Sequence, residues 1–252
     1  MRKLRRITEA EVIAEFLKNE FYQEEFHRDR ENFEQLVLEA NVTNETENAL
    51  RRALLYRRRG HMLRELPEDT QWWEVEIELT DLNLVRVFPR AQWRRVADGS
   101  FLLRDIVQRI RTVHFSGRTR DFISKVQALS YRIRIEKDTS SVMLIGVDEK
   151  KPFTILEGNH RLTAALLGGQ SLLESRFRVL CGFSPNMMQS CWYETNLKNL
   201  WRYGKNRLRN LFYDKDADIS RVLNEAMQVP PNSVEVSGQK AVVPGSAGQK
   251  SA

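Results

Sequence analysis

Thr154-Ile155-Leu156-Glu157-Gly158-Asn159-His160-Arg161, followed by Leu162-Thr163-Ala164-Ala165-Leu166-Leu167-Gly168-Gly169, reads as a strand end, a one-glycine turn and a short helix. Ile155 and Leu156 close an apolar run, and Gly158 can adopt the positive φ that other residues avoid. Asn159 is a good N-cap, because its side-chain oxygen can accept from amides of the first helical turn. The residues after it favour helix, and Gly168-Gly169 is a stop signal. A helix opened this way presents unpaired N–H groups and the positive end of its dipole, which together make an anion site. His160 and Arg161 add donors there, and an arginine fork suits phosphate oxygens. The same spacing also fits a plain strand-to-helix turn with two exposed polar side chains, since short motifs recur without function.

Outward from this stretch the pattern is mixed. Residues 142–147 and 153–156 read as two strands joined by a turn at 148–152, a hairpin leading into the helix. Upstream, Trp72-Trp73-Glu74-Val75-Glu76-Ile77-Glu78-Leu79 alternates apolar and acidic residues as a half-buried strand does, and the apolar run 82–88 stops at Pro89. Phe101, Leu102, Leu103, Ile106, Val107 and Ile110 form a helical stripe; residues 112–118 read as a loop and 121–131 as another helix, with Ile133 and Ile135 in a short extension. One more strand follows the Gly-Gly stop. Residues 187–212 then look helical, with Trp192, Tyr193, Trp201 and Tyr203 among Lys198, Arg202, Lys205, Arg207 and Arg209. Aromatics among cations can stack bases. Core packing with snorkelling basic stems is the preferred reading, because Leu197, Leu200, Leu208 and Leu211 continue an apolar pattern. Residues 214–227 fit a last short helix, and from Pro230 onward the composition is that of a disordered tail.

Residues 7–66 read as helical. Thr8-x-x-Glu11 is a candidate capping box, and Val12, Ile13, Phe16, Leu17 and Phe21 recur at helical spacing. A second helix carries Phe33, Leu36, Val37 and Leu38; Asn44-x-x-Glu47 caps a third that runs to Arg59. Arg51, Arg52, Arg57, Arg58 and Arg59 make this third helix basic. The surrounding glutamates favour pairing with acids over a phosphate-binding surface.

The chain has 252 residues, 41% of them hydrophobic, so it can bury a core. A net charge of +6 favours an anionic partner without choosing its kind. No apolar run approaches the length of a bilayer span, and Met1-Arg2-Lys3-Leu4-Arg5-Arg6 is followed by acidic helix, unlike a secretory signal. The two cysteines make no disulfide framework, no Cys/His cluster has zinc-ligand spacing, and a reducing cytoplasm is the expected setting. The expected organisation is a helical N-terminal region at 1–70, a strand-and-helix domain at 71–183 that carries the glycine turn, a helical extension at 184–228 and a disordered tail at 229–252.

Residues 153–167 resemble the Glu/Asp-Gly-x-His-Arg segment of the ParB/sulfiredoxin-like superfamily, which includes sulfiredoxin, the ParB partition proteins and the free serine kinases. Asp81-Leu82-Asn83-Leu84-Val85-Arg86-Val87-Phe88-Pro89 resembles that fold's opening strand and loop. Ser141-Val142-Met143-Leu144-Ile145-Gly146-Val147-Asp148 resembles the strand before the motif, and Phe177-Arg178-Val179-Leu180-Cys181 the strand after it. The resemblance covers residues 75–183. It implies an α+β fold, a small mixed sheet with helices, preceded by the helical N-terminal region. It also implies that the turn and helix start hold nucleotide phosphates.

On that basis Gly158, Asn159, His160 and Arg161 are the expected phosphate cradle, with Arg86 reaching the nucleotide from the first strand or forming a surface salt bridge. Phosphoryl transfer also needs a metal or basic clamp and a group that positions or deprotonates the acceptor. Glu157 could hold magnesium through water, orient the acceptor or bond to a neighbouring amide; all three stay open. His160 is the second catalytic candidate, through the charge building on the phosphates. Asp148 is a weaker candidate. The chain departs from its relatives in three ways. Phe88-Pro89-Arg90-Ala91-Gln92-Trp93 holds no carboxylate where the serine kinases have their base. Asn159 stands where sulfiredoxin has its cysteine. No recognition helix of the ParB kind follows the motif. The expected function is an ATP- or ADP-dependent phosphotransferase or small-molecule kinase using Mg2+. The alternative is a ParB-like nucleic-acid-binding or regulatory nucleotide-binding protein.

Overall fold

Strand β4 (Ser141–Gly146) is buried along its whole length. Its side chains alternate between two cores: Val142 and Leu144 enter one, Met143 and Ile145 the other. The same alternation separates Ile155 from Leu156 in β5 (Phe153–Glu157), and Val179 and Cys181 from Leu180 in β6 (Arg178–Phe183). Strands apolar on both faces must be covered on both. The computed structural model describes residues 1–60, 62–135, 140–169, 178–212 and 217–228, and among these it has an α+β architecture with a six-stranded mixed sheet. With β1 (Arg2–Ile7), β2 (Gln71–Glu76) and β3 (Val85–Val87), the strand order is β1-β2-β6-β4-β5-β3. The β6–β4 and β5–β3 pairs are parallel and the rest antiparallel.

Helices α1 (Glu9–Glu20), α2 (Arg30–Leu38) and α3 (Glu45–Arg59) cover one face. The other is covered by α4 (Ala91–Ala97), α5 (Leu103–Thr112), α6 (Gly117–Ile135) and α7 (Asn159–Gly168). The expected caps of the first layer are in place. Thr8 and Glu11 form a reciprocal capping box, and Asn44 accepts from the Glu47 amide at 3.1 Å. The core beneath α1 and α3 contains Trp72, Met143, Leu156 and Leu180 as well, so it runs across residue 70.

The structure differs from the sequence reading in four places. Residues 2–7 form an edge strand whose charges match those of β2: Arg2 lies opposite Glu76, and Arg5 binds Glu74 at 2.9 Å. The run 82–88 splits into a 3-10 turn (Asp81–Asn83) and the short β3, because the Asp81 carboxylate accepts from the Glu78 amide at 2.8 Å and tightens the chain there. Helix α6 starts at Gly117 and continues unbroken to Ile135, taking in Ile133 as a core residue. The helical reading of 187–212 resolves into a 3-10 turn (Met187–Gln189) and a separate helix α8 (Leu197–Phe212). On α8, Leu197, Leu200, Trp201 and Leu208 are exposed rather than in the core, Trp201 at 78%. Trp192 does pack, against Phe88 and Tyr203 at 5.0 and 5.8 Å between ring centres. The last helix, α9 (Ile219–Gln228), places Ile219 and Val222 in the core beneath α1 and α3. The expected tail lies outside the described residues.

Candidate functional site

The turn after β5 is built by a glycine. Gly158 has φ 94° and ψ 19°, and a Cβ there would stand 3.1 Å from Val142 Cγ2. Gly158 is therefore the residue that caps α7, and Asn159 falls inside the first turn, contrary to the expected N-cap. Asn159 is buried, and its Oδ1 accepts from the Phe88 amide at 3.3 Å. Its side-chain oxygen ties the turn to the loop after β3. The first intrahelical bond runs from the Leu162 amide to the Gly158 carbonyl at 2.9 Å. The amides of Asn159, His160 and Arg161 have no partner among the described residues. The free donors expected at a helix start are thus present.

Glu157, at the end of β5, is largely buried and forms an ion pair with Arg161 one turn on. Its carboxylate also accepts from Asn19 Nδ2 at 3.1 Å, and Asn19 in turn donates to the Ser141 carbonyl at 2.9 Å. Glu20, next on α1, faces it. Burial pushes the Glu157 carboxyl up to about 7; Arg161 opposes this, while Glu20 adds charge repulsion and a shared hydrogen bond. His160 rests its ring on Trp93 and Phe122, both centres at 5.4 Å, with one edge open to solvent. Burial first, then the charges of Arg90 and Arg161, hold its imidazole below the ordinary value, so it is a neutral donor at pH 7.

These groups line a cleft with two chambers. The smaller, about 180 Å³, is bounded by Glu20, Gln23, Arg59, Arg90, Gln92 and the motif from Leu156 to His160. The other, about 370 Å³, shares Glu20, Gln23, Glu157, Gly158 and His160 and adds Leu129, Arg132 and Arg161. A larger cavity of about 730 Å³, between the start of α1, the end of α3 and residues 66–72, contains none of the motif residues.

Glu157, Gly158, His160 and Arg161 therefore come together at one cleft, and Arg86 does not join them. Its guanidinium lies over the Tyr193 ring at 4.9 Å and 3.3 Å from Thr154 Oγ1. Neither chamber touches it, because Arg86 pairs with Thr154, well back from the turn. Asp148 is also spent: its carboxylate accepts from the amides of Lys150 and Lys151 at 2.7 and 3.0 Å and fixes the hairpin turn. Sequence reasoning missed Asn19, Glu20 and Arg90. Position alone, directly after β3 and Pro89, could have pointed to Arg90. Nothing in the spacing of α1 points to Glu20. Among the described residues no group of three or more His, Cys, Asp or Glu side chains is placed to hold a metal ion. No protein-family model, curated protein or solved structure matches the chain.

Proposed function

We propose that the chain is a nucleotide-binding phosphotransferase of the ParB/sulfiredoxin-like kind, acting on a small molecule with ATP or ADP. One observation carries this reading. Three amides at the start of α7 that have no partner among the described residues belong to residues lining a cleft that also holds Arg90 and Arg59. The amides and Arg161 bind phosphate oxygens, and neutral His160 donates to them as negative charge builds. Arg161 is shared between Glu157 and the ligand, so binding draws it off the carboxylate. Glu20 enters from α1 and supplies the carboxylate that residues 88–93 lack.

The donor set suits magnesium that arrives with the nucleotide, not a resident ion. Magnesium commonly needs only one or two protein carboxylates besides phosphates and water. Glu157 and Glu20 are the two at the cleft among the described residues. When bound, magnesium neutralises charge on the phosphoryl oxygens. We place the protein in the cytoplasm. Among the described residues no helix is long and apolar enough to cross a membrane, and Cys181 and Cys191 are both buried free thiols.

Titration calorimetry with ATP, ADP, CTP and GTP in the presence of Mg2+ tests the reading. Heat with at least one nucleotide, lost in Arg161→Ala, is expected; silence with all of them ends it. A second reading, a nucleic-acid-binding or regulatory module, is favoured by the exposed stripe of α8, where Leu197, Leu200, Trp201 and Leu208 stand among Lys198, Arg202, Lys205 and Arg207. Steeply salt-dependent binding of a DNA or RNA oligomer would support it.

A further inference from the structure

The two chambers of the cleft differ in size and lining, and the difference gives the ligand a direction. The smaller is too small for a nucleoside, since pockets for small molecules start at roughly 300 Å³, yet its wall is rich in donors: Arg59, Arg90, Gln23 and Gln92. Arg59 is committed to Glu20 and Glu25. Arg90 makes no hydrogen bond or ion pair through its side chain among the described residues. It stands close enough to Arg59, Glu20, Glu157 and His160 for its charge to interact with theirs. A guanidinium set into a cavity wall beside another, with its own donors unspent, suits an anion. The larger chamber has room for a base and sugar and carries an apolar contact in Leu129. The free amides of α7 stand at the wall between the two.

We propose that the cleft takes a nucleoside triphosphate in one orientation, with its terminal phosphate in the smaller chamber against Arg90 and its nucleoside in the larger chamber against Leu129. The inference rests on the nucleotide-binding reading and adds to it the length of the phosphate chain and its direction. The inner phosphates lie on the amides of Asn159, His160 and Arg161. A diphosphate held at the same amides stops short of Arg90. Among the described residues the cleft lining carries four guanidiniums, those of Arg59, Arg90, Arg132 and Arg161, against the two carboxylates of Glu20 and Glu157, which matches a polyanion.

Calorimetry with ATP, ADP, AMP and inorganic tripolyphosphate, each with Mg2+, tests the orientation on the whole chain. ATP is expected to bind about ten- to a hundredfold more tightly than ADP, the worth of a hydrogen bond to a charged group. Arg90→Gln, with its fold checked by circular dichroism, removes that advantage and leaves ADP affinity unchanged. Leu129→Trp fills the larger chamber and weakens ATP while leaving tripolyphosphate bound as before. Equal affinity for ATP and ADP overturns the proposal. So does an Arg90→Gln variant that weakens both alike, or a Leu129→Trp variant that weakens tripolyphosphate as much as ATP. If no nucleotide binds the wild-type chain, the nucleotide reading itself fails, an outcome distinct from these.

Discussion

Two sets of arginines in this molecule differ in how their donors are used. On α3, Arg51 is fully buried, Arg52 meets Glu9 at 3.1 Å, Arg58 meets Asp29 at 2.6 Å, and Arg59 meets Glu25 at 2.6 Å. Arg57 lies at 3.8 Å from the same Asp29. This basic row holds α3 against α1, α2 and the turn between them. In the cleft, Arg90 has no such partner among the described residues, and Arg161 shares a carboxylate that Glu20 already crowds. The density of positive charge along the sequence is higher on α3, but the unspent capacity to bind an anion is in the cleft. A net charge of +6 is therefore a poor guide to where a polyanion docks.

The sharpest way to break this contrast is to remove the most deeply used arginine. Arg51 donates to the carbonyls of Leu36 and Asn41 at 3.1 and 2.6 Å, to Asn48 Oδ1 at 2.7 Å and to Glu47 at 3.1 Å. Arg51→Met keeps much of the volume and strands four acceptors. Breaking a buried charged pair from one side costs about 3–5 kcal/mol, so the urea midpoint of Arg51→Met should fall steeply. ATP binding by the fraction still folded should be unchanged. A loss below about 1 kcal/mol, the range of an exposed pair, would mean that the α3 row is not structural.

What could be read in advance follows from how local each signal is. The capping box at Thr8, the cap at Asn44, the α5 stripe and the glycine turn are set within a few residues, and the structure has them all. The edge strand β1 was invisible because five of its six residues are exposed and leave no period to find. Its partners, Glu74 and Glu76, lie some seventy positions away. The cleft was half legible for the same reason. Its motif is contiguous, but Glu20 looks like any helix-end carboxylate until the sheet brings α1 against β5. Arg86 misled because strand register, which the sequence does not show, sets it beside Thr154 instead of at the turn.

The cleft carboxyls sharpen the comparison through pH. Glu157 is pushed up to about 7 by burial, while in the unfolded chain it titrates near 4.5. Between these values the folded state holds a proton that the unfolded state has released. The stability this group contributes is therefore present at low pH and lost as pH rises from about 5 to 7, on the order of 2 kcal/mol. The lowered imidazole of His160 acts in the opposite sense, taking up its proton more readily on unfolding, so the measurement must be a difference. Wild type minus Glu157→Gln, followed by thermal unfolding at half-unit steps, isolates the carboxyl. A difference that stays flat across this window would mean that Arg161 wins over burial and keeps Glu157 ionised like an α3 partner.

The smallest expected effect lies at the exposed end of the α3 row. Arg52 and Glu9 are each close to half exposed, and pairs of that kind are worth about 0.2–1 kcal/mol at low salt and less as salt rises. Arg52→Ala together with Arg57→Ala should shift the unfolding midpoint only slightly, because Glu9 is exposed and the buried Asp29 keeps Arg58 at 2.6 Å. The double variant is nonetheless informative for function. If the row serves only the fold, a short duplex DNA at low salt binds wild type and variant alike, since Arg52 is paired with Glu9 and Arg57 lies beside Asp29. A phosphate-binding face would instead lose about one counterion's worth of salt slope for each arginine removed. A clear drop in that slope would show that acid pairing leaves these arginines free enough to exchange partners. The distinction between spent and unspent guanidiniums would then fail at the surface and hold only for buried ones such as Arg51.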